Sequence, residues 1–259
     1  MRIVRFRLGR DDPPHWGWVR DDRLGLLDGS PFGIFKRQPP TFALDRVELL
    51  APLEPGKIIC VGRNYAAHAA EHDSPLPELP LLFLKPPSAV IGHHQAIRLP
   101  AQSQQVEHEA ELAVVIGDGG RWIAAEDADR HILGYTAAND VTARDLQRAD
   151  GQWTRGKGFD TFCPLGPWIE TEFQPADALI TCTVNDHMRQ MASTRDLVFP
   201  VRQLVAFISS VMTLAPGDVV LTGTPSGVGP LLDGDEVSVE IENLGRLTNP
   251  VRAEQPPPA

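Results

Sequence analysis

Short apolar runs, broken every few residues by Gly, Pro, Asn or Asp, recur along most of the chain. Alternation of apolar and polar positions predicts strands over Arg2–Leu8, His15–Arg20 and Leu24–Leu27, separated by Asp11-Asp12-Pro13-Pro14 and Asp21-Asp22. A less regular, Pro-rich stretch ends in Leu49-Leu50-Ala51-Pro52-Leu53-Glu54-Pro55-Gly56. Beyond it, further short β-like segments cover Lys57–Val61, Leu81–Lys85, Leu112–Ile116, Leu179–Val184, Val219–Thr222 and Val237–Glu242. Asn185-Asp186 reads as a hairpin turn between two of these runs. The one long amphipathic helix is Pro200–Leu214, with Leu204, Val205, Ile208, Val211 and Met212 on one face and Pro216-Gly217 as its stop. Strands outnumber helices, with neither an internal repeat nor regular strand–helix alternation. The pattern predicts a β-rich α+β protein rather than a doubly wound sheet or a (β/α)8 barrel. A boundary near residue 52 divides a small N-terminal β domain, 1–52, from a larger domain, 53–259.

Size and charge narrow the function. A chain of 259 residues with 42% hydrophobic content is long enough to bury roughly three-quarters of its unfolded surface. The formal charge of −10 opposes nucleic acid and anionic membranes as partners. No apolar run approaches the roughly 20 residues of a spanning helix, and Met1-Arg-Ile-Val-Arg-Phe-Arg7 is unlike a secretory signal, so the expected compartment is the cytoplasm. Cys60, Cys163 and Cys182 sit in apolar settings without Cys-x-x-Cys spacing, as buried thiols do.

The densest chemistry lies in Val106-Glu107-His108-Glu109-Ala110-Glu111, which leads into the apolar run to Ile116. Read as a strand, it sets Glu107, Glu109 and Glu111 on one face, where neighbouring carboxylates raise one another's pKa or require a cation. Oxygen donors without Cys or His favour Mg²⁺, Mn²⁺ or Ca²⁺ over Zn²⁺. A solvated edge strand is the plainer alternative. Asp140, in Asn139-Asp-Val-Thr-Ala-Arg-Asp145, reads either as a helix N-cap or as a further ligand.

Gly62–His72 reads as a short helix capped by Asn64, in which His68 and Glu71 are i,i+3 neighbours able to form a base dyad. The same residues spell His-x-x-Glu-His, so a zinc peptidase using His68 and His72 is a remote alternative. A non-catalytic binding protein is another. Only four lysines stand beside twenty arginines; Lys85 ends an apolar strand and Lys157 lies in a Gly-flanked turn, both suited to an anion or enolate. The loop Thr222-Gly-Thr-Pro-Ser-Gly-Val-Gly229 offers N–H and hydroxyl donors for a carboxylate, without the Gly-Lys-Ser/Thr of a nucleotide loop.

In order along the chain, Val61-Gly-Arg-Asn-Tyr65 with His68 and Glu71, Phe83-Leu-Lys-Pro86, His108-Glu-Ala-Glu-Leu112, Asn139–Asp145, Lys157 with Phe159-Asp160, and Leu221–Gly229 resemble the fumarylacetoacetate hydrolase family. The resemblance runs from Lys57 to Val251, closest to the acylpyruvate hydrolase and 2-hydroxyhepta-2,4-diene-1,7-dioate isomerase branch. It implies a mixed β-roll domain behind a small N-terminal domain, a homodimer, and Mg²⁺ or Mn²⁺ on Glu109, Glu111 and Asp140, with Glu107 outside the triad. It further implies His68 and Glu71 as the water-activating dyad, Lys157 as a catalytic cation, and Arg63, Asn64, Lys85, Gln147 and Thr224 on the substrate side. Gly158 departs from the Ser of many members. The activity implied is cleavage of a C–C bond in a 2-oxo or 2,4-dioxo acid through a metal-stabilised enolate, with oxaloacetate-type decarboxylation or isomerisation as alternatives on the same site.

Overall fold

A computed structural model describes residues 1–9, 11–71 and 75–255. Strands dominate and the helices are short apart from Val201–Val211, so the chain is a β-rich α+β protein, as its patterning predicts. Thirteen strands form one mixed sheet, five a second and three a third. In the large sheet, Ala110–Ile116 runs antiparallel to Ile132–Asn139 on one side and to Val219–Leu221 on the other. All seven of its residues are buried. Leu112, Val114 and Ile116 join Ile180, Val239 and Ile208, from the five-stranded sheet and the long helix. Ala113 and Val115 belong to a different cluster, with Ile58, Cys60 and Leu165. Burial on both faces explains why this segment is continuously apolar. Each large side chain so buried contributes about 1.5–3 kcal/mol.

The N-terminal strands are not a detached sheet. Arg2–Arg7 pairs antiparallel with Cys163–Glu170, aligning Arg2 with Glu170 and Ile3 with Ile169. The large sheet therefore runs unbroken from Phe35–Arg37 at one end to Leu81–Lys85 at the other. Segments on the two sides of residue 52 share it.

Most predicted strands form within a residue or two of their expected limits. Asn185 and Asp186 take φ of 51° and 62°, the two positive values a type I′ turn needs between Leu179–Val184 and His187–Ser193. The long helix is shorter than its apolar stripe: Pro200 is its N-cap, and Met212 is already extended at φ −142°. Leu214 leaves the helix for a β-bridge to Gly120, and Val211 is 51% exposed instead of packed on the apolar face. The three cysteines are free and buried. Among the described residues no helix is long and apolar enough to cross a membrane.

Candidate active site

The segment expected to be one acidic strand is two. Val106–His108 pairs with Thr142–Ala143 and Gly229–Pro230 in the three-stranded sheet, whereas Ala110–Ile116 lies in the large one. The chain changes sheet at Glu109, whose N–H donates to Asn139 Oδ1 at 2.9 Å and whose carbonyl accepts from Asp140 N–H at 2.9 Å. A side chain and a turn thus replace ladder bonds, and the period-two relation between Glu107 and the later acids is lost. Glu107 serves Arg144 instead, its Oε2 lying 2.7 Å from Nε. Glu109, Glu111 and Asp140 converge: one carboxylate oxygen from each lies within 4.8 Å of the others, and all three residues are buried. Asp140 caps no helix, because Arg144–Asp150 starts only after Ala143.

Three cations surround these acids. Lys157 Nζ lies 2.8 Å from Glu109 Oε2 and 2.7 Å from Asp140 Oδ2. Lys85 Nζ, fully buried, reaches the other Asp140 oxygen at 2.6 Å. Arg144 joins Glu107 to Glu109 and donates to Gln147 Oε1 at 2.7 Å. Burial alone would raise the Glu109 carboxyl, but Lys157 and Arg144 outweigh it and hold Glu109 well below the usual carboxylate range. Burial alone would likewise lower the Lys157 ammonium; Asp140 and Glu109 prevail, and it stays charged. Glu111 differs. Burial, then Asp140 and Glu109, push it well above the ordinary value, although Gly223 N–H donates to its Oε2 at 2.6 Å.

A cavity of about 310 Å³ opens beside this cluster, lined by Arg63, His68, Glu109, Gln147, Arg148, Trp153 and Lys157 among others. His68 Nδ1 lies 3.3 Å from Glu71 Oε2, and Glu71 Oε1 accepts from Gly227 N–H at 3.0 Å. The glycine-rich loop therefore does hold carboxylates, and they are the protein's own: Glu111 at Gly223 and Glu71 at Gly227. Gly62 enters the cavity wall where an added Cβ would come within 2.9 Å of the Trp153 ring, and Arg63 beside it takes φ 59°.

Other predicted residues are placed differently. Asn64 does not cap the helix Ala66–Glu71; its amide donates to Phe199 O at 3.0 Å and Thr222 O at 2.8 Å and accepts from Phe199 N–H at 2.7 Å. That clamp leaves it turned to protein. Lys85 sits behind Asp140, and Thr224 accepts from Gln190 Nε2 at 2.8 Å. Arg63, His68, Gln147 and Lys157 do line one cavity. His72 lies outside the described residues.

Sequence reasoning gave no role to Arg144, Trp153, Arg148 or Gln190. Arg144 stands inside the Asn139–Asp145 motif, a signal that was available. Gln190 is the buried residue of an otherwise half-exposed strand, and its amide binds His108 Nδ1 at 3.0 Å, Ala110 N–H at 3.0 Å and Pro225 O at 2.8 Å as well as Thr224. Burial lowers the His108 pKa, which keeps this imidazole neutral at the sheet change.

The donor set suits a hard divalent ion: three convergent carboxylates, with neither thiolate nor imidazole among them. The charge pattern agrees. Four buried carboxylates, Glu107 included, face three buried cations, and Glu111 is the acid left without one at ion-pair distance. A cation held by Glu109, Glu111 and Asp140 would remove the deficit that raises Glu111.

Comparison with known proteins agrees with this geometry. Residues 57–252 match the family described as fumarylacetoacetate (FAA) hydrolase C-terminal, and residues 1–52 match an Rv2993c-like N-terminal family. The mitochondrial oxaloacetate tautomerase FAHD2B of Homo sapiens is 46% identical over 287 aligned positions, covering 97% of this chain and 91% of that protein. The crystal structure of 2-hydroxyhepta-2,4-diene-1,7-dioate isomerase from Mycobacterium marinum is 43% identical with a TM-score of 0.90, over 99% of this chain and 100% of that one. Maleylpyruvate hydrolase from Sphingobium, solved with manganese(II) and pyruvate, is 33% identical with a TM-score of 0.82, over 98% of this chain and 100% of that one. The chain belongs to the fumarylacetoacetate hydrolase family.

Proposed function

We propose that this chain is a divalent-metal-dependent enzyme, using Mg²⁺ or Mn²⁺, that acts on small 2-oxo dicarboxylic acids by forming their enolate, with tautomerisation or isomerisation as its reaction. The observation that carries the reading is the convergence of Glu109, Glu111 and Asp140 beside Lys157, at a cavity that also receives His68. A divalent ion on the three carboxylates would supply Lewis-acid stabilisation of charge on the substrate's 2-oxo oxygen. Lys157, held charged between Glu109 and Asp140, adds a fixed positive charge beside the cavity where an enolate develops. Glu71 holds the Nδ1 edge of His68, which orients the imidazole to take a proton from substrate C3. Arg63 and Arg148 line the same cavity and match a second carboxylate. Its volume suits a compact acid. The tautomerase and isomerase relatives, 46% and 43% identical, support the same chemistry.

The His68–Glu71 dyad favours one second reading, in which it activates water to attack the C4 carbonyl of an acylpyruvate or fumarylpyruvate, the C3–C4 bond breaking to release a carboxylic acid and the enolate of pyruvate. Purified protein should be assayed for keto–enol interconversion of oxaloacetate and for pyruvate release from acylpyruvates, with Mn²⁺ and after EDTA. Metal-dependent tautomerisation without pyruvate release is expected. Pyruvate release from acylpyruvates would select the second reading, and no metal-dependent rate on either substrate would refute both.

A further inference from the structure

Gln190 is the buried side chain of His187–Ser193, a strand at the edge of the five-stranded sheet. A β-bulge aims it inward. Thr183 pairs with Met188 and Cys182 with Gln190, so Arg189 is the extra residue that breaks the alternation of exposed and buried positions.

The Gln190 amide uses every hydrogen-bonding position it has. Its Oε1 accepts from Ala110 N–H and from His108 Nδ1, both at 3.0 Å, and its Nε2 donates to Pro225 O and Thr224 Oγ1, both at 2.8 Å. Ala110 N–H can only donate and the Pro225 carbonyl can only accept, so the amide has one possible orientation. Each end supports a different part of the acidic triad. At the sheet change, side chains hold the backbone around Glu109: Asn139 Oδ1 takes the N–H of Glu109, and Gln190 Oε1 takes that of Ala110, which stands between Glu109 and Glu111. At the other end, Thr224 and Pro225 follow directly on Gly223, whose N–H binds Glu111 Oε2. The same loop lies against the bulge, since a Cβ at Gly227 would collide with Arg189 O.

We infer that Gln190 is a positioning residue of the metal centre. It hydrogen-bonds none of the three carboxylates among the described residues, yet it fixes the backbone between Glu109 and Glu111 and the loop that anchors Glu111. It thereby sets the geometry of the donor set and the affinity for the divalent ion. The inference rests on the metal-dependent reading of the site and on no particular substrate.

The test compares Gln190→Met, which keeps the length and loses all four bonds, with Gln190→Asn, which keeps the amide but draws it back by one methylene. Ser209→Ala is the control, for Ser209 is equally buried on the long helix and its Oγ accepts from Ile123 N–H at 2.9 Å. Mn²⁺ is titrated into each metal-free full chain and the free ion followed by electron paramagnetic resonance, at a temperature where circular dichroism shows the fold intact. Displaced carboxylates bind the ion less well, so both Gln190 variants should raise the Mn²⁺ Kd about 10- to 100-fold. Ser209→Ala should lower the melting temperature with the Kd unchanged, the outcome that a merely structural part for Gln190 would also give. If only Gln190→Asn folds, it decides alone. Wild-type affinity in a folded Gln190 variant, an equal loss of affinity in Ser209→Ala, or failure of both Gln190 variants to fold would overturn the inference. Wild type that binds no Mn²⁺ would instead refute the metal-dependent reading itself, and this inference with it.

Discussion

Glu111→Gln should make the metal-free protein more stable while abolishing its metal response. At an effective dielectric of about 20, two like charges 4.8 Å apart repel by about 3.5 kcal/mol. Glu111 has two such neighbours, Asp140 and Glu109, while Lys157 and the Gly223 N–H offset part of the repulsion. Glutamine keeps an oxygen for Gly223 and nearly the same volume, so only charge is removed. The expected net gain is about 1–3 kcal/mol without metal. Its sign follows from the raised folded-state pKa. Ionisation of Glu111 opposes folding, so the gain is largest at alkaline pH and fades toward pH 4.5, the ordinary glutamate value, where wild-type Glu111 is protonated in the fold. Adding Mn²⁺ at about 100 times its Kd should stabilise wild type by about 2.7 kcal/mol and the variant hardly at all. Urea unfolding followed by tryptophan fluorescence, in EDTA and in Mn²⁺, should therefore show the order of stability reversing between the two conditions. A variant less stable than wild type in EDTA, or equally stabilised by Mn²⁺, would refute the argument.

His68→Ala should lower kcat by about 10²- to 10⁴-fold with metal affinity nearly unchanged, since the dyad supplies a base and the carboxylates hold the ion; parallel kinetics and Mn²⁺ calorimetry check this, and lost metal binding would contradict it. His93 is lowered from 6.5 to about 4, chiefly by burial and then by His94, and its Nδ1 accepts from Thr248 N–H at 3.0 Å. Stability from this neutral ring is full above pH 6.5 and lost as pH falls toward 4, about 1–2 kcal/mol after discounting its partial exposure. His93→Gln should flatten that stretch of the urea-midpoint profile, and an unaltered slope would sink the assignment. Sedimentation equilibrium should give the mass of a homodimer, as the family resemblance implies, and a single-chain mass at micromolar protein would reject it.

Strand content, the Asn185-Asp186 turn and the buried cysteines were legible because each rests on local pattern or residue type. The grouping of Glu109, Glu111 and Asp140 was implied by the family resemblance, and the three do converge; residue type alone left Asp140 equally readable as an N-cap. Glu107 was misplaced because the sheet change at Glu109 depends on Asn139, thirty residues away. Asn64 has the composition of an N-cap, yet its partners Phe199 and Thr222 lie 135 and 158 residues on. Lys85 looks the same in sequence whether it meets a substrate or, as here, Asp140. The helix end at Val211 is likewise decided by the distant bridge between Leu214 and Gly120. Local propensity loses in each case to a pairing that only tertiary structure creates.

The pairing of Arg2–Arg7 with Cys163–Glu170 bears on how separable the two ends of the chain are. Without residues 1–52, Ile169 and Glu170 would lose their partners Ile3 and Arg2 and become an unpaired edge able to recruit a strand from another molecule, while Cys163 and Pro164 stay paired with Val90 and Ile91. Any segment put in place of residues 1–52 would need to bring a strand to those same two positions.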